Sequence, residues 1–288
     1  MADGVRRFWC DGRRPDRYSG ATTDRVRSFT VEPMTTAPPH TLSPTDPTTA
    51  TTVHAAGPPT LEPARLRLEQ ERTLSAPDAR PNLALRLMFA SIDVLYGRRL
   101  SIEKFLVLEH LAQVPYRSWE RVAQRRIART RGRSLLARRI QQRVAEARAQ
   151  HDNEQWHMLV MEDLIVREDR RLQRVRHRLL PRLMALPWQV ATWVLHLTRP
   201  AASYRLNAAF EAHAERCYMR YVAEHPETER QIFRGPLADR WSGRVTVADV
   251  LRQVGHDERV HRFDSEQAAR ETAGADVDPG PAAMREAA

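Results

Sequence analysis

Two copies of one pattern run through this chain and limit what it can fold into. In each copy a lone glutamate precedes a Glu-x-x-His: Glu109 with Glu154 and His157, then Glu211 with Glu258 and His261. The lone glutamate stands 45 residues ahead of its partner in the first copy and 47 in the second. Positions i and i+3 of an α-helix lie on one face about a turn apart, so a Glu and a His spaced this way reach one metal ion together. A single Glu-x-x-His in a helical chain is ordinarily a solvated face or a salt bridge. Here the residues fall on apolar helical faces. Ile102, Phe105 and Ala112 accompany Glu109, and Ala147, Met158 and Met161 accompany Glu154. Asn207, Ala214, Tyr218 and Val222 accompany Glu211, and Leu251 and Val254 accompany Glu258 and His261. A lone carboxylate on an apolar face is costly unless paired or metal-bound. Four of them on four helices imply a shared partner.

Four carboxylates and two imidazoles are the donor set of a dinuclear centre in a ferritin-like four-helix bundle. Hard carboxylate oxygens with a few imidazoles suit iron or manganese better than zinc or copper. The expected fold is therefore all-α, a ferritin-like bundle holding two metal ions, with interfacial helices added.

Three regions are expected. Residues 1–60 are polar and rich in Pro and Thr, too poor in apolar side chains to offset their ordering entropy, and read as a disordered tail. Residues 61–270 read as the helical dimetal domain, and 271–288 as a second disordered tail. A short charged helix begins near Leu61, and Leu83, Leu87, Ala90 and Val94 form the next stripe. The helix carrying Glu109 is expected to stop at Pro115, because proline lacks the N–H that a helix interior needs. The stretch from Tyr116 to Val166 reads as helical with a break at Thr130–Gly132. Ser203–Ala223 and Val247–Ala269 read as the last two helices, and no segment shows strand periodicity. The first 30 residues mix Arg with Asp and lack an apolar run, so no secretory signal is expected.

The chain carries 46 basic and 36 acidic residues, a net charge of +10, and Lys104 is its sole lysine. Such a surface could attract anionic lipid, acidic substrates or nucleic acid. No nucleic-acid module and no glycine-rich phosphate loop accompanies it, so nucleic acid is not expected as a partner. Of the two cysteines, Cys10 lies in the tail and Cys217 in a helix, so no structural disulfide is expected and a reducing compartment fits. Leu183–Thr198 holds 16 uncharged residues between Arg182 and Arg199, short of the roughly 20 that span a bilayer. With Trp188, Trp193 and flanking arginines it suits a helix lying in a membrane surface, as does Asn82–Leu95 beside Arg98 and Arg99. The bland alternative for both is packing into a soluble core or a dimer interface.

From about Asn82 to Glu266 the chain resembles the alternative oxidases, monotopic diiron quinol oxidases. That family's L-E-T is here Leu108-Glu109-His110, followed by Ala112, Val114 and Pro115. Its N-E-R-M-H is Asn153-Glu154-Gln155-Trp156-His157, and its L-E-E-E-A is Phe210-Glu211-Ala212-His213-Ala214. Its R-A-D-E-x-x-H is Gly255-His256-Asp257-Glu258 with His261 last. A family tyrosine seven residues after the third-motif ligand is matched by Tyr218, and an arginine five before the first ligand corresponds to Lys104. Ala212, His213, His110 and Gly255 or His256 depart from the pattern around the ligands.

The resemblance implies two iron ions, with manganese an alternative, held by Glu109, Glu154, His157, Glu211, Glu258 and His261. Glu154 and Glu258 would bridge. It implies quinol and dioxygen as substrates, dioxygen being reduced to water in respiratory electron transport, at the cytoplasmic face as a peripheral membrane protein. Tyr218 is the candidate carrier of an electron and a proton, or else a core residue. Asp257 and Asn153 are candidates for orienting the imidazoles. Lys104, Leu108, Ala214 and Cys217 are candidate quinol contacts, although Cys217 also reads as a small core residue and Lys104 as a solvated lysine. His110 and His213 are extra histidines whose default reading is packing. The family often forms homodimers, and the arginine-rich 116–143 stretch is the candidate contact. Two other readings remain open: another diiron oxygenase (hydroxylase, desaturase-like or N-oxygenase) acting on a lipophilic metabolite, or a non-catalytic metal-binding helical protein.

Overall fold

In a computed structural model of the chain, residues 59–78, 81–168, 172–241 and 243–275 are described. The 1–58 part of the N-terminal tail, with Cys10, and the C-terminal tail beyond 275 lie outside the described residues. Among the described residues there are seven α-helices: α1 (Pro63–Ser75), α2 (Leu83–Tyr96), α3 (Ile102–Ile127), α4 (Ser134–Arg167), α5 (Leu180–Thr198), α6 (Pro200–Glu224) and α7 (Val247–Ala275). Among the described residues the one β-type pairing is an isolated bridge between Ile232 and Thr246. The all-α expectation holds, and α7 continues past the expected end at Ala269.

Local chemistry sets the helix ends. Asn82 caps α2 by accepting from the Leu85 N–H at 3.0 Å, and Gly97 closes it at a φ of +90°, a backbone conformation that suits glycine. Thr246 and Asp249 cap α7 reciprocally: the Asp249 N–H donates to Thr246 Oγ1 at 3.1 Å and the Thr246 N–H to Asp249 Oδ2 at 3.2 Å. Helices α3 and α4 part around Gly132, at the break the sequence indicates. Pro200 starts α6 at its first turn, where the missing N–H costs nothing.

Pro115 does not stop α3. The helix runs through it for another three turns, to Ile127. A proline at 115 leaves the Leu111 carbonyl without its helical donor. The Trp188 indole N–H, from α5, donates to that carbonyl at 3.2 Å. Sequence rules count the lost bond, and packing replaces it. Tyr116, Ser118 and Trp119 thereby stay on the buried face of the helix that carries Glu109.

Helix α3 packs along α4 and α6 along α7, and α5 lies against α3. Side chains join α3 to α6 and α4 to α7 in antiparallel register. Gln150 donates to Asp264 at 3.0 Å, and Arg143 bonds Glu271 two turns further along. Four helices thus surround one centre, with Phe105, Leu106, Leu111, Met161, Ile165, Phe210 and Leu251 buried around it. Helix α1 is tied to α6 and α7 by Glu69 and Glu215, which clasp Arg259 between them.

Candidate metal centre

Helix α3 contributes Glu109, α4 Glu154 and His157, α6 Glu211, and α7 Glu258 and His261. All six are buried. They form two groups, Glu109–Glu154–His157–Glu258 and Glu154–Glu211–Glu258–His261. Within each group one ligand-capable atom per residue lies within 4.8 Å of the others. Glu154 and Glu258 belong to both groups.

Several atoms of these side chains have no hydrogen-bond partner: both oxygens of Glu154 and of Glu258, Oε2 of Glu109 and of Glu211, and Nδ1 of His157 and of His261. Buried polar atoms are normally satisfied, so eight orphans facing one another need an explanation. Cations supply it. His157 Nδ1 lies 3.1 Å from Glu258, 3.3 Å from Glu109 and 3.6 Å from Glu154, and His261 Nδ1 lies 2.7 Å from Glu154 and 3.6 Å from Glu258. The residues present therefore fit two metal ions, and oxygen-rich donors with one imidazole per group favour iron or manganese.

The electrostatics without metal are those of crowded carboxylates. Burial, then the charge of Glu258, pushes Glu109 and Glu211 well above the usual carboxylate range. Burial would also raise Glu154, but His261 and His157 overturn it and hold Glu154 well below that range. Burial opposes a charged His261, yet Glu154 and Glu258 together outweigh it and bring the ring up to about 10. His157 is likewise raised, against burial, by Asp257, with which its Nε2 pairs, and by the glutamates it faces.

Around the ligands lies a polar shell. His157 turns Nδ1 to the carboxylates and Nε2 to Asp257 Oδ2 at 3.2 Å, a carboxylate–imidazole pairing that fixes ring orientation. Asn153 Nδ2 lies 3.1 Å from His157 Nε2, 3.4 Å from His261 Nε2 and 3.3 Å from Asp257 Oδ2. Gln253 donates to Asp257 Oδ1 at 2.7 Å. Arg240 lies over the Trp156 ring at 4.2 Å and its guanidinium reaches Asn153 Oδ1 at 3.4 Å. Tyr218 donates its hydroxyl to Glu109 Oε1 in a short hydrogen bond, and Tyr116 donates to Glu211 Oε1 at 2.8 Å. Asn207 donates to the same Glu211 oxygen at 2.9 Å.

Lys104 is buried, not solvated: its ammonium pairs with Asp93 and donates to the Gly97 carbonyl at 3.1 Å. With Leu108, Cys217, His213, Phe89 and Arg220 it lines a cavity of about 200 Å³. Ala214 is buried on α6 and lies outside that lining. Cys217 is a free buried thiol, which burial pushes up to about 11, with its sulfur 3.4 Å from His213 Nε2. His213 stacks on Phe89, and burial and Lys104 bring it down to about 4. His110 is half-buried, lowered to about 4 by burial and by Arg182 and Arg117. Neither extra histidine joins the ligand groups.

Sequence reading missed Tyr116, Arg240 and Gln253. Tyr116 had a signal: it stands seven residues after Glu109, as Tyr218 stands seven after Glu211. No spacing rule places Arg240, which comes from the 3₁₀ turn Pro236–Arg240 ahead of α7.

No protein-family profile matches the chain, and no curated protein or solved structure is similar to it.

Proposed function

We propose that this chain is a diiron oxidoreductase of membrane surfaces, a quinol oxidase that reduces dioxygen to water on a ferritin-like four-helix bundle. One observation carries the reading: two buried ligand groups share Glu154 and Glu258, with their inward-facing atoms unpartnered. Glu109 and His157 would hold one ion, Glu211 and His261 the other, with Glu154 and Glu258 between them. Iron bound there would supply dioxygen activation and redox chemistry; manganese fits the same donors.

The chain's own residues do the rest. Asp257 and Asn153 hold the imidazoles so that each keeps Nδ1 toward the carboxylates. Tyr218 keeps a hydroxyl proton on Glu109. The cavity beside Lys104 lies against the helix segments that carry Glu109 and Tyr218, being lined by their chain neighbours Leu108 and Cys217. An ammonium has three donors, and Asp93 and Gly97 take two, leaving one for a quinol oxygen. His213, neutral at pH 7, offers a ring nitrogen to a hydroxyl in the same cavity. Two quinols and one dioxygen give two quinones and two waters.

A lipophilic substrate needs access from a lipid phase, and two helices offer it. Helix α5 exposes Leu183, Leu186, Val190, Val194 and Leu197, and α2 exposes Leu83, Leu87 and Val94, the last 84% exposed. Arg182 lies in the first turn of α5 and Arg199 follows its end, and Arg98 and Arg99 follow α2. Among the described residues no helix is long and apolar enough to cross a membrane. An in-plane contact with anionic lipid fits both facts.

The test is oxygen uptake by iron-loaded protein in vesicles, with ubiquinol and menaquinol analogues. Quinol-dependent uptake with water as product supports the reading. Uptake that requires a co-substrate which becomes hydroxylated supports an oxygenase instead. Two bound ions with no uptake under any reductant would make the chain a metal-binding protein.

A further inference from the structure

The two tyrosines at the centre open onto different surroundings. Tyr218 stacks on Phe105, with ring centroids 4.1 Å apart, and Phe105 meets Tyr221 at 5.3 Å. A phenylalanine ring is too hard to oxidise to pass a single electron on. Tyr116 instead meets Trp119 edge-to-face at 5.1 Å, and Trp119 meets Tyr204 at 4.5 Å. Every ring in this second series can be oxidised by one electron. It starts at the centre, where the Tyr116 hydroxyl bonds Glu211 and its ring lies 5.8 Å from that of His261. It ends at Tyr204 and Trp119, which line a cavity of about 190 Å³ with Arg143, Glu146, Gln150 and Asp264. Half of that lining is polar and it carries three charged side chains, unlike the exposed leucines and valines of α2 and α5.

The geometry points to a second electron inlet, Tyr204–Trp119–Tyr116, which delivers single electrons from a water-soluble hydrogen-atom donor to the metal centre. It rests on the metal-centre reading above but not on quinol as substrate. A one-electron oxidant at the centre, formed with dioxygen, takes an electron through Tyr116 and Trp119, both of which return to their starting states. Tyr204 is left as a neutral radical, its proton released into the polar cavity. An enediol or similar donor in the cavity then gives one hydrogen atom to Tyr204 and leaves as its own radical. Trp119 is held for this role by its indole N–H, which donates to Ser203 at 2.9 Å, and His196 packs beside Trp119 and Tyr204 at 5.8 and 5.2 Å.

The experiment mixes iron-loaded, quinol-free full-length protein with dioxygen, freeze-quenches it and records electron paramagnetic resonance, with and without ascorbate as the probe donor. The expected result is an organic radical that ascorbate removes, with the ascorbyl radical appearing in its place. Trp119→Phe and Tyr204→Phe each slow ascorbyl formation by an order of magnitude or more. Trp119→Tyr, which keeps an oxidisable ring, restores it. Quinol-driven oxygen uptake and bound iron are unchanged in all three variants. Tyr204→Phe removes only a hydroxyl, so its effect on the rate is separable from any repacking of the core. A second arm photo-oxidises the metal-free protein from solution with ruthenium(III) tris-bipyridine; transient absorption should show the tryptophanyl radical in wild type and lose it in Trp119→Phe. Equal ascorbyl rates in wild type, Trp119→Phe and Tyr204→Phe overturn the inlet, as does a wild type that forms no organic radical. Ascorbyl formation through the series without quinol-driven uptake sustains the inlet and sinks the quinol oxidase.

Discussion

The two kinds of glutamate at the centre should respond in opposite ways to loss of their charge in metal-free protein. Glu211 is pushed well above its ordinary value near 4.5 by burial and by Glu258. It therefore keeps its proton in the fold at pH values where the unfolded chain has lost it. Raised folded values give stability that is complete below the unfolded value and is lost as pH climbs toward the folded one. Between those limits wild-type stability falls by about 1.4 kcal/mol per pH unit. Glu211→Gln copies the protonated acid, and its Oε1 can still accept from Tyr116 and Asn207. The variant escapes that fall. Relative to wild type it gains stability as pH rises from 5 toward 7.

Glu154 works the other way. Its carboxylate is charged and faces His261 Nδ1 at 2.7 Å and His157 Nδ1 at 3.6 Å. The His261 ring, raised to about 10, stabilises the fold below its unfolded value and loses that contribution as pH rises through about 10. At pH 7 the three remaining pH units amount to about 4 kcal/mol, at about 1.4 each, in line with the usual loss of about 3–5 on breaking a buried ion pair. Glu154 supplies the larger share of that shift and Glu258 the rest, so Glu154→Gln should destabilise metal-free protein by a large part of that amount, and less at pH 9 than at pH 7. Urea unfolding of chelator-treated, dialysed protein at pH 5, 7 and 9 measures both. Equal destabilisation by the two variants, or a difference that does not move with pH, would refute the assignment of charge. Both variants should lose metal, which separates ligand role from stability role.

Asp257→Ala frees the His157 ring and should weaken iron binding about 10–100-fold, read by competition with a chelator, while helical circular dichroism stays near wild type. Leu186→Glu with Val190→Glu should release the protein from anionic vesicles in a flotation assay, and wild type that ignores such vesicles at low salt would end the membrane reading. Lys104→Ala strands Asp93 and should raise the apparent KM for quinol with metal content intact; Lys104→Arg should keep most activity, and unchanged kinetics in both would remove Lys104 from the substrate site.

All six proposed ligands were legible because a metal site fixes residue type and spacing together, and helical period 3.6 turns Glu-x-x-His into a shared face. Asp257 and Asn153 were legible as chain neighbours of ligands. Pro115 misled because local rules count backbone bonds, while the donor that rescues Leu111 stands 77 residues away in α5. Lys104 also eluded spacing: its ammonium is buried by the turn that brings Asp93 and Gly97 over it. Arg240 reaches the centre from a connection whose path no periodicity encodes.

Tyr116 was legible in principle, and the reason lies in helix geometry. A residue seven places on returns to nearly the same face, about 10.5 Å further along the axis. That is too far for Tyr116 to serve Glu109 or for Tyr218 to serve Glu211. Side chains pair α3 with α6 in opposite directions, so each tyrosine arrives level with the other copy's glutamate: Tyr218 on Glu109, Tyr116 on Glu211. Helices α4 and α7 repeat the exchange, with His157 on Asp257 and His261 beside Asn153. A duplicated sequence pattern on antiparallel helices thus predicts crossed partners, not repeated ones. The same crossing explains why the two ends of the centre can diverge. Each end is built from both copies, so replacing Phe105 or Trp119 alters what lies beyond one tyrosine and leaves the ligand set untouched. Phe105→Trp would give the Tyr218 end an oxidisable neighbour, and an organic radical that then survives Trp119→Phe would show that ring identity at this one position decides where the electron enters.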